Sequence, residues 1–255
     1  GRGVFSCPCS NFCSSRAKAG RWTHVRAFGV RVDEHDEETL TVHGVGLRGL
    51  AQPSGPVDCQ NAGTLVRLVA GILGGQEGRT FELTGDESLS RRPMARVASP
   101  LAEMGIQVET TDGHLPLTVH GGAVRAITYR LPVASAQVKS AILIAGLAAP
   151  GKTTVIEPEP TRDHTERLLR WFGAEVGVVE QPGGGRAVTV TGDAELTGTR
   201  ISVPGDPSAA AFLTAAALIV PGSEIVIEGA LVNATRTGFY ATLMEMGADI
   251  ALLDA

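Results

Sequence analysis

A Phe/Met-Gly pair recurs four times along the chain, in AFGVRV, EMGIQV, WFGAEV and EMGADI, placing Gly29, Gly105, Gly173 and Gly247 at intervals of 76, 68 and 74 residues. Intervals of that size are too long for a solenoid and suit a small α/β lobe. In the last three copies a stretch of helical period precedes the pair (RPMARVASPLAE, TRDHTERLLRW, TRTGFYATLME), and glycine there fits a helix C-terminal cap. The residues after each glycine alternate apolar and polar, as a half-buried strand does.

A second series interleaves with the first. An Ala/Leu-rich helix, a glycine-centred turn and a strand are predicted in AGILGGQEGRTFEL, AGLAAPGKTTVIEP and AALIVPGSEIVIEG, with turn glycines Gly78, Gly151 and Gly222. Helices as poor in charge as ASAQVKSAILIAGL are expected to be buried nearly all round, with sheets packed outside them. Together the two series predict an α/β fold of about three units, each with two helices and several strands.

With 43% hydrophobic but only 4% aromatic residues, the core is expected to consist of Val, Leu, Ile and Ala. A net charge of −5 with no Lys/Arg cluster excludes a nucleic-acid footprint. The longest apolar runs, such as Ala209 to Val220, fall short of the roughly 20 residues a membrane span needs, so no membrane partner is expected. No basic stretch followed by an apolar one opens the sequence, and a cytoplasmic location is the expectation. Cys7, Cys9 and Cys13 in CPCSNFC lack a second pair or a histidine partner, and Cys59 stands alone, so no metal site is expected.

Each predicted buried helix opens on a polar tag: Asn61-Ala62-Gly63-Thr64, Ser135-Ala136-Gln137 and Asp206-Pro207-Ser208. These are N-cap chemistries, and helix starts pointing inward gather free N–H groups that suit phosphate or carboxylate. Arg92, Arg162 and Arg236 follow the turn glycines by 14, 11 and 14 residues, each at the start of a second helix, where a guanidinium can fork onto an anion. Any one of these residues alone reads as a cap or a surface ion pair. Their recurrence points to a small anionic ligand. Adjacent Asp163 and His164 point apart on a helix and read as solvated first-turn residues. Gly183 to Gly185 in QPGGGR read as a hairpin tip. Lys139, a lone charge in an apolar run, is expected to snorkel out of its helix.

In this order, NAGTLVR, LTGDESLSRRPM, LPVASAQVKSAILIAGL, EPTRDHTERLLRWFG and VPGDPSAAAF resemble the 3-phosphoshikimate 1-carboxyvinyltransferase (EPSP synthase) family, from about Ala27 onward. The resemblance implies the enolpyruvyl transferase fold, repeated βαβαββ-type units with buried helices inside outer sheets, present here incompletely. On that reading residues 1–26 are an atypical leader without family match, 27–199 a substrate-binding domain and 200–255 the start of a second domain. It also implies transfer of the enolpyruvyl group from phosphoenolpyruvate to shikimate 3-phosphate, with no metal or organic cofactor and a monomeric intact protein. Carried over by motif, Ser135, Ala136, Gln137 and Arg162 resemble the shikimate 3-phosphate contacts, and Gly63, Arg92 and Gln137 the phosphoenolpyruvate contacts. The family's D-K-S-x-S-H-R type motif has no counterpart in residues 1–26, and its proton-transfer residues are expected beyond Ala255, so no catalytic residue is assigned. The alternative is a catalytically silent shikimate 3-phosphate-binding fragment. The related UDP-N-acetylglucosamine enolpyruvyl transferases carry a cysteine loop that SLSRRPM does not match.

Overall fold

The glycines of both series take the left-handed backbone that ends a helix or closes a turn. The φ angle is 77°, 86°, 93° and 93° at Gly29, Gly105, Gly173 and Gly247, and 73°, 94° and 77° at Gly78, Gly151 and Gly222. The residue type therefore sets where each helix stops and the chain turns back. The computed structural model of the chain describes residues 2–6 and 22–253. Cys7, Cys9 and Cys13, and with them the cysteine-cluster reading, lie outside the described residues, as does most of the segment read as a leader.

The described chain begins with β1 (Arg2–Ser6), α1 (Thr23–Ala27), β2 (Val32–Glu34) and β3 (Thr39–His43). A first complete unit follows: β4 (Val57–Asp58), α2 (Gly63–Gly74), β5 (Thr80–Thr84), α3 (Glu87–Ser90), α4 (Ala95–Glu103), β6 (Gln107–Thr111) and β7 (His114–His120). The second repeats it as β8 (Thr128–Arg130), α5 (Ala136–Gly146), β9 (Lys152–Glu157), α6 (His164–Trp171), β10 (Val176–Glu180) and β11 (Arg186–Thr191). A further copy starts with β12 (Ile201–Ser202), α7 (Pro207–Ile219) and α8 (Gly238–Glu245).

The two complete units share one topology. Their four-stranded sheets run β4-β5-β7-β6 and β8-β9-β11-β10, each with one parallel edge pair and antiparallel remainder. A parallel pair requires a crossover, supplied by α2 in one unit and α5 in the other. The third sheet, β12-β1-β3-β2, has the same order but draws its parallel pair, Phe5 beside Ile201 and Ser6 beside Ser202, from segments far apart in the sequence. In all three, the strand after the signature glycine (β2, β6 or β10) lies at the sheet edge. The QPGGGR turn joins β10 to β11, with the Gln181 N–H donating to the Gly185 carbonyl at 2.7 Å, as read from the sequence.

Helices α2 and α5 meet in the interior, so the expected arrangement of helices inside sheets holds. Val66, Ala70 and Leu73 from α2 and Ala141, Ile142 and Leu143 from α5 are fully enclosed. Each buried Val, Leu or Ile side chain contributes about 1.5–3 kcal/mol. A Cβ at Gly71 would lie 2.3 Å from the Ala141 carbonyl oxygen, so glycine is what lets the two backbones touch.

The last copy departs from expectation. The strands predicted after Gly222 and after Gly247 do not form; 223–227 and 248–253 are irregular. A strand persists where its N–H and C=O groups pair with a neighbour, and among the described residues the pairing in this region is an isolated bridge between Gly205 and Ala230. Nor is α7 buried all round: Phe212 and Ile219 are 79% and 78% exposed.

Candidate anion-binding site

The start of α5 is built to face a ligand. Ser135 is the N-cap, its side-chain oxygen accepting from the Val138 N–H at 3.4 Å, which leaves the hydroxyl hydrogen to donate elsewhere. This helix mouth opens on a cleft of about 520 Å³ whose lining includes Ser135, Ala136, Gln137, Thr161, Arg162 and Thr235. Four of the residues singled out from the sequence, Ser135, Ala136, Gln137 and Arg162, are thus brought to one cleft.

The three repeat-related arginines differ in what they hold. Arg236 Nη2 donates to Asp206 Oδ1 at 3.1 Å and to Ser208 Oγ at 2.8 Å, both at the start of α7. Arg92 donates to Asn61 Oδ1, just before α2, and to Ser88 Oγ at 3.5 Å. Arg162, at the corresponding place beside α5, is exposed and its side chain has no partner among the described residues. Two repeats close the arginine onto their own helix start. The middle one leaves that junction open.

The Arg92 contact also corrects the reading of Asn61 as a cap. Its carbonyl is taken by Arg92 and its amide donates to Asp86 Oδ2 at 2.9 Å, so α2 starts after Ala62 with no side-chain cap. Of the predicted caps, Ser135 and Asp206 do act as such.

Gly63 and Arg92 do not line the cleft but adjoin it through Arg67. A Cβ on Gly63 would lie 2.9 Å from Arg92 Nη1 and 3.1 Å from Arg67 Nη1, so glycine here admits two guanidinium groups. Arg67 is 7% exposed and donates to Gln137 Oε1 at 2.8 Å, Pro93 O at 3.2 Å and Gly63 O at 3.3 Å, while its Nε has no partner among the described residues. Burial, then repulsion from Arg96 and Arg92, holds its pKa below the ordinary arginine value. Arg67, whose hydrogen bonds go to an amide and two backbone carbonyls rather than to a carboxylate, is a charge that suits an anion. Gln137 Nε2 donates to Thr64 Oγ1 at 2.8 Å, so this amide spans from the cleft to the arginine cluster.

Sequence reasoning passed over Arg67. The available signal was a charge in the otherwise apolar GTLVRLVAGILG, one helical turn after Gly63. It also misjudged Lys139, which does not snorkel: it is wholly buried, its Nζ 3.0 Å from Glu157 Oε2 and 2.6 Å from Glu166 Oε1. Carboxylates supplied by β9 and α6 make an interior ammonium tolerable. Asp163, half-buried at the start of α6, accepts from Asn233 Nδ2 at 2.8 Å and from Arg167 Nε at 2.7 Å, a structural rather than a reactive setting.

A family model described as EPSP synthase (3-phosphoshikimate 1-carboxyvinyltransferase) matches residues 20–254. The 3-phosphoshikimate 1-carboxyvinyltransferase of Parvibaculum lavamentivorans is 54% identical over 232 residues, covering 90% of this chain and 51% of that protein. The protein of the same name from a Methylobacterium species is 53% identical over 234 residues, covering 90% and 52%. A solved structure of EPSP synthase from Acinetobacter baumannii superposes with a TM-score of 0.83 at 42% identity, covering 98% of this chain and 54% of that one. The chain spans about half the length of the curated relatives it matches.

Proposed function

The chain belongs to the EPSP synthase family, and from that premise we propose that it binds shikimate 3-phosphate and phosphoenolpyruvate as acceptor and donor in enolpyruvyl transfer. In that reaction the acceptor's 5-hydroxyl loses its proton and bonds to C2 of phosphoenolpyruvate while C3 gains a proton. The C2–O bond to phosphate then breaks as C3 gives up a proton, restoring the double bond and releasing phosphate. A site for this chemistry must hold two anions side by side with the hydroxyl against C2.

The observation that carries the reading is Arg162, which has no partner among the described residues, beside the Ser135 helix mouth, where the equivalent Arg92 and Arg236 are engaged. In this reading Ser135, Ala136 and Arg162 grip the 3-phosphate end of the acceptor. Gly63, Arg92 and the buried Arg67 receive phosphoenolpyruvate, and Gln137 borders both. No helix among the described residues is long and apolar enough to cross a membrane; the reading goes with a cytoplasmic monomer.

One observation goes with a second reading, binding without turnover: the chain spans about half the length of the relatives it matches. Phosphate release by the 255-residue chain given both substrates separates the two. Release abolished by Arg92→Ala is the result for a transferase. No release, with shikimate 3-phosphate still bound in calorimetry, is the result for a binding lobe, and no binding of either substrate overturns both.

Gly63→Ala supplies a narrower check. Its added methyl meets Arg92 Nη1 at 2.9 Å and Arg67 Nη1 at 3.1 Å, ends of flexible side chains that can move aside. The fold is expected to stand, with a melting temperature near wild type. Affinity for phosphoenolpyruvate falls and that for shikimate 3-phosphate alone does not, as titration of each ligand separately would show.

A further inference from the structure

Lys139 is the single charged residue of α5. Its ammonium is enclosed by two carboxylates that are themselves buried, 3.0 Å from Glu157 and 2.6 Å from Glu166. Three buried ionisable groups are a poor way to stabilise a core, because apolar residues of the same volume usually do as well or better. None of the three lines the cleft. What they share is position. Glu157 ends β9 and Glu166 stands in the first turn of α6, so the two carboxylates bracket the segment 158–163 that carries Arg162.

The link continues into that segment. Glu157 Oε1 accepts from the Thr161 N–H at 3.0 Å, and Oε2 accepts from the Thr161 hydroxyl at 2.9 Å. On the other side, the Lys139 N–H donates to the Ser135 carbonyl at 3.0 Å, one helical turn from the cleft. Beside the triad, the Ser140 and Thr165 hydroxyls lie 2.7 Å apart, joining α5 to α6 a second time.

We propose that Lys139, with Glu157 and Glu166, is a positioning device for the anion site. One ammonium pins both ends of the loop bearing Arg162 to the helix bearing Ser135, and so sets the spacing between the two groups that grip the ligand's phosphate. A two-sided grip depends on that spacing, since supporting contacts decide whether a site is held to the needed tolerance.

The test is hydrogen exchange of the 255-residue chain without ligand, paired with titration of shikimate 3-phosphate. The Thr161 amide, held by Glu157, exchanges about tenfold faster in Lys139→Met and in Thr161→Val, while those of α2 stay protected. Thr161→Ser, which keeps the hydroxyl, restores the wild-type rate. Should Lys139→Met not fold, Thr161→Val and Glu166→Gln carry the comparison. Loop exchange unchanged in folded variants overturns the inference.

The titration arm rests on the proposed ligand. Lys139→Met raises the shikimate 3-phosphate Kd by about tenfold in the wild-type background and adds nothing in Arg162→Ala, because it acts through that arginine. An equal loss in both backgrounds overturns the positioning role. Failure of the wild-type chain to bind shikimate 3-phosphate overturns the ligand reading, and loop exchange then decides the device by itself.

Discussion

Replacing Arg162 with alanine weakens shikimate 3-phosphate binding by roughly tenfold to a hundredfold, the loss of one charge-assisted contact worth about 1.5–3 kcal/mol. The guanidinium stands at the cleft with no partner to lose among the described residues, so its removal leaves the surrounding structure intact. Arg162→Lys recovers part of the affinity, since an ammonium supplies charge but not the planar fork. Arg236→Ala is the matched control. That arginine is bound to Asp206 and Ser208, and its loss leaves ligand affinity near wild type. Calorimetry with shikimate 3-phosphate and with unphosphorylated shikimate reads the effect directly. The wild-type chain discriminates between the two ligands and Arg162→Ala discriminates far less.

Gly71→Ala is expected to destabilise the fold by about 1–3 kcal/mol or more, the range for overpacking a close-fitted core. The new methyl would sit 2.3 Å from the Ala141 carbonyl oxygen and 3.2 Å from its Cα. Both are backbone atoms of a helix, so the strain is relieved only by moving α5 away from α2. Urea unfolding should show a lower midpoint with little change in slope. An unchanged midpoint would mean that the two helices do not touch in solution. The contrast with Gly63→Ala is instructive, because there the neighbours are side-chain ends and the cost falls on ligand affinity rather than on the fold.

The repeat was legible because glycine at a left-handed position is a local requirement. Seven glycines read from the sequence have positive φ, and the strands after Gly29, Gly105 and Gly173 follow. The strands expected after Gly222 and Gly247 have the same local pattern and did not form, since a strand also needs a paired neighbour that local pattern cannot supply. The site was half legible in the same sense. Ser135 was visible as a cap, whereas Asn61 was claimed by an arginine 31 positions on. Lys139 looked like a snorkelling side chain because its partners, Glu157 and Glu166, arrive from a strand and a helix that no local window contains. The grouping of Ser135, Ala136, Gln137 and Arg162 came from the family resemblance, and the geometry independently gathers them at one cleft.

The most direct measurement is a crystal structure of this chain with shikimate 3-phosphate bound. The expected result is the 3-phosphate held between the Ser135 hydroxyl, the first N–H groups of α5 and the Arg162 guanidinium, with Gln137 beside the ring. A phosphate seated instead among Gly63, Arg67 and Arg92, with Arg162 left in solvent, would contradict the assignment of the two anion sites.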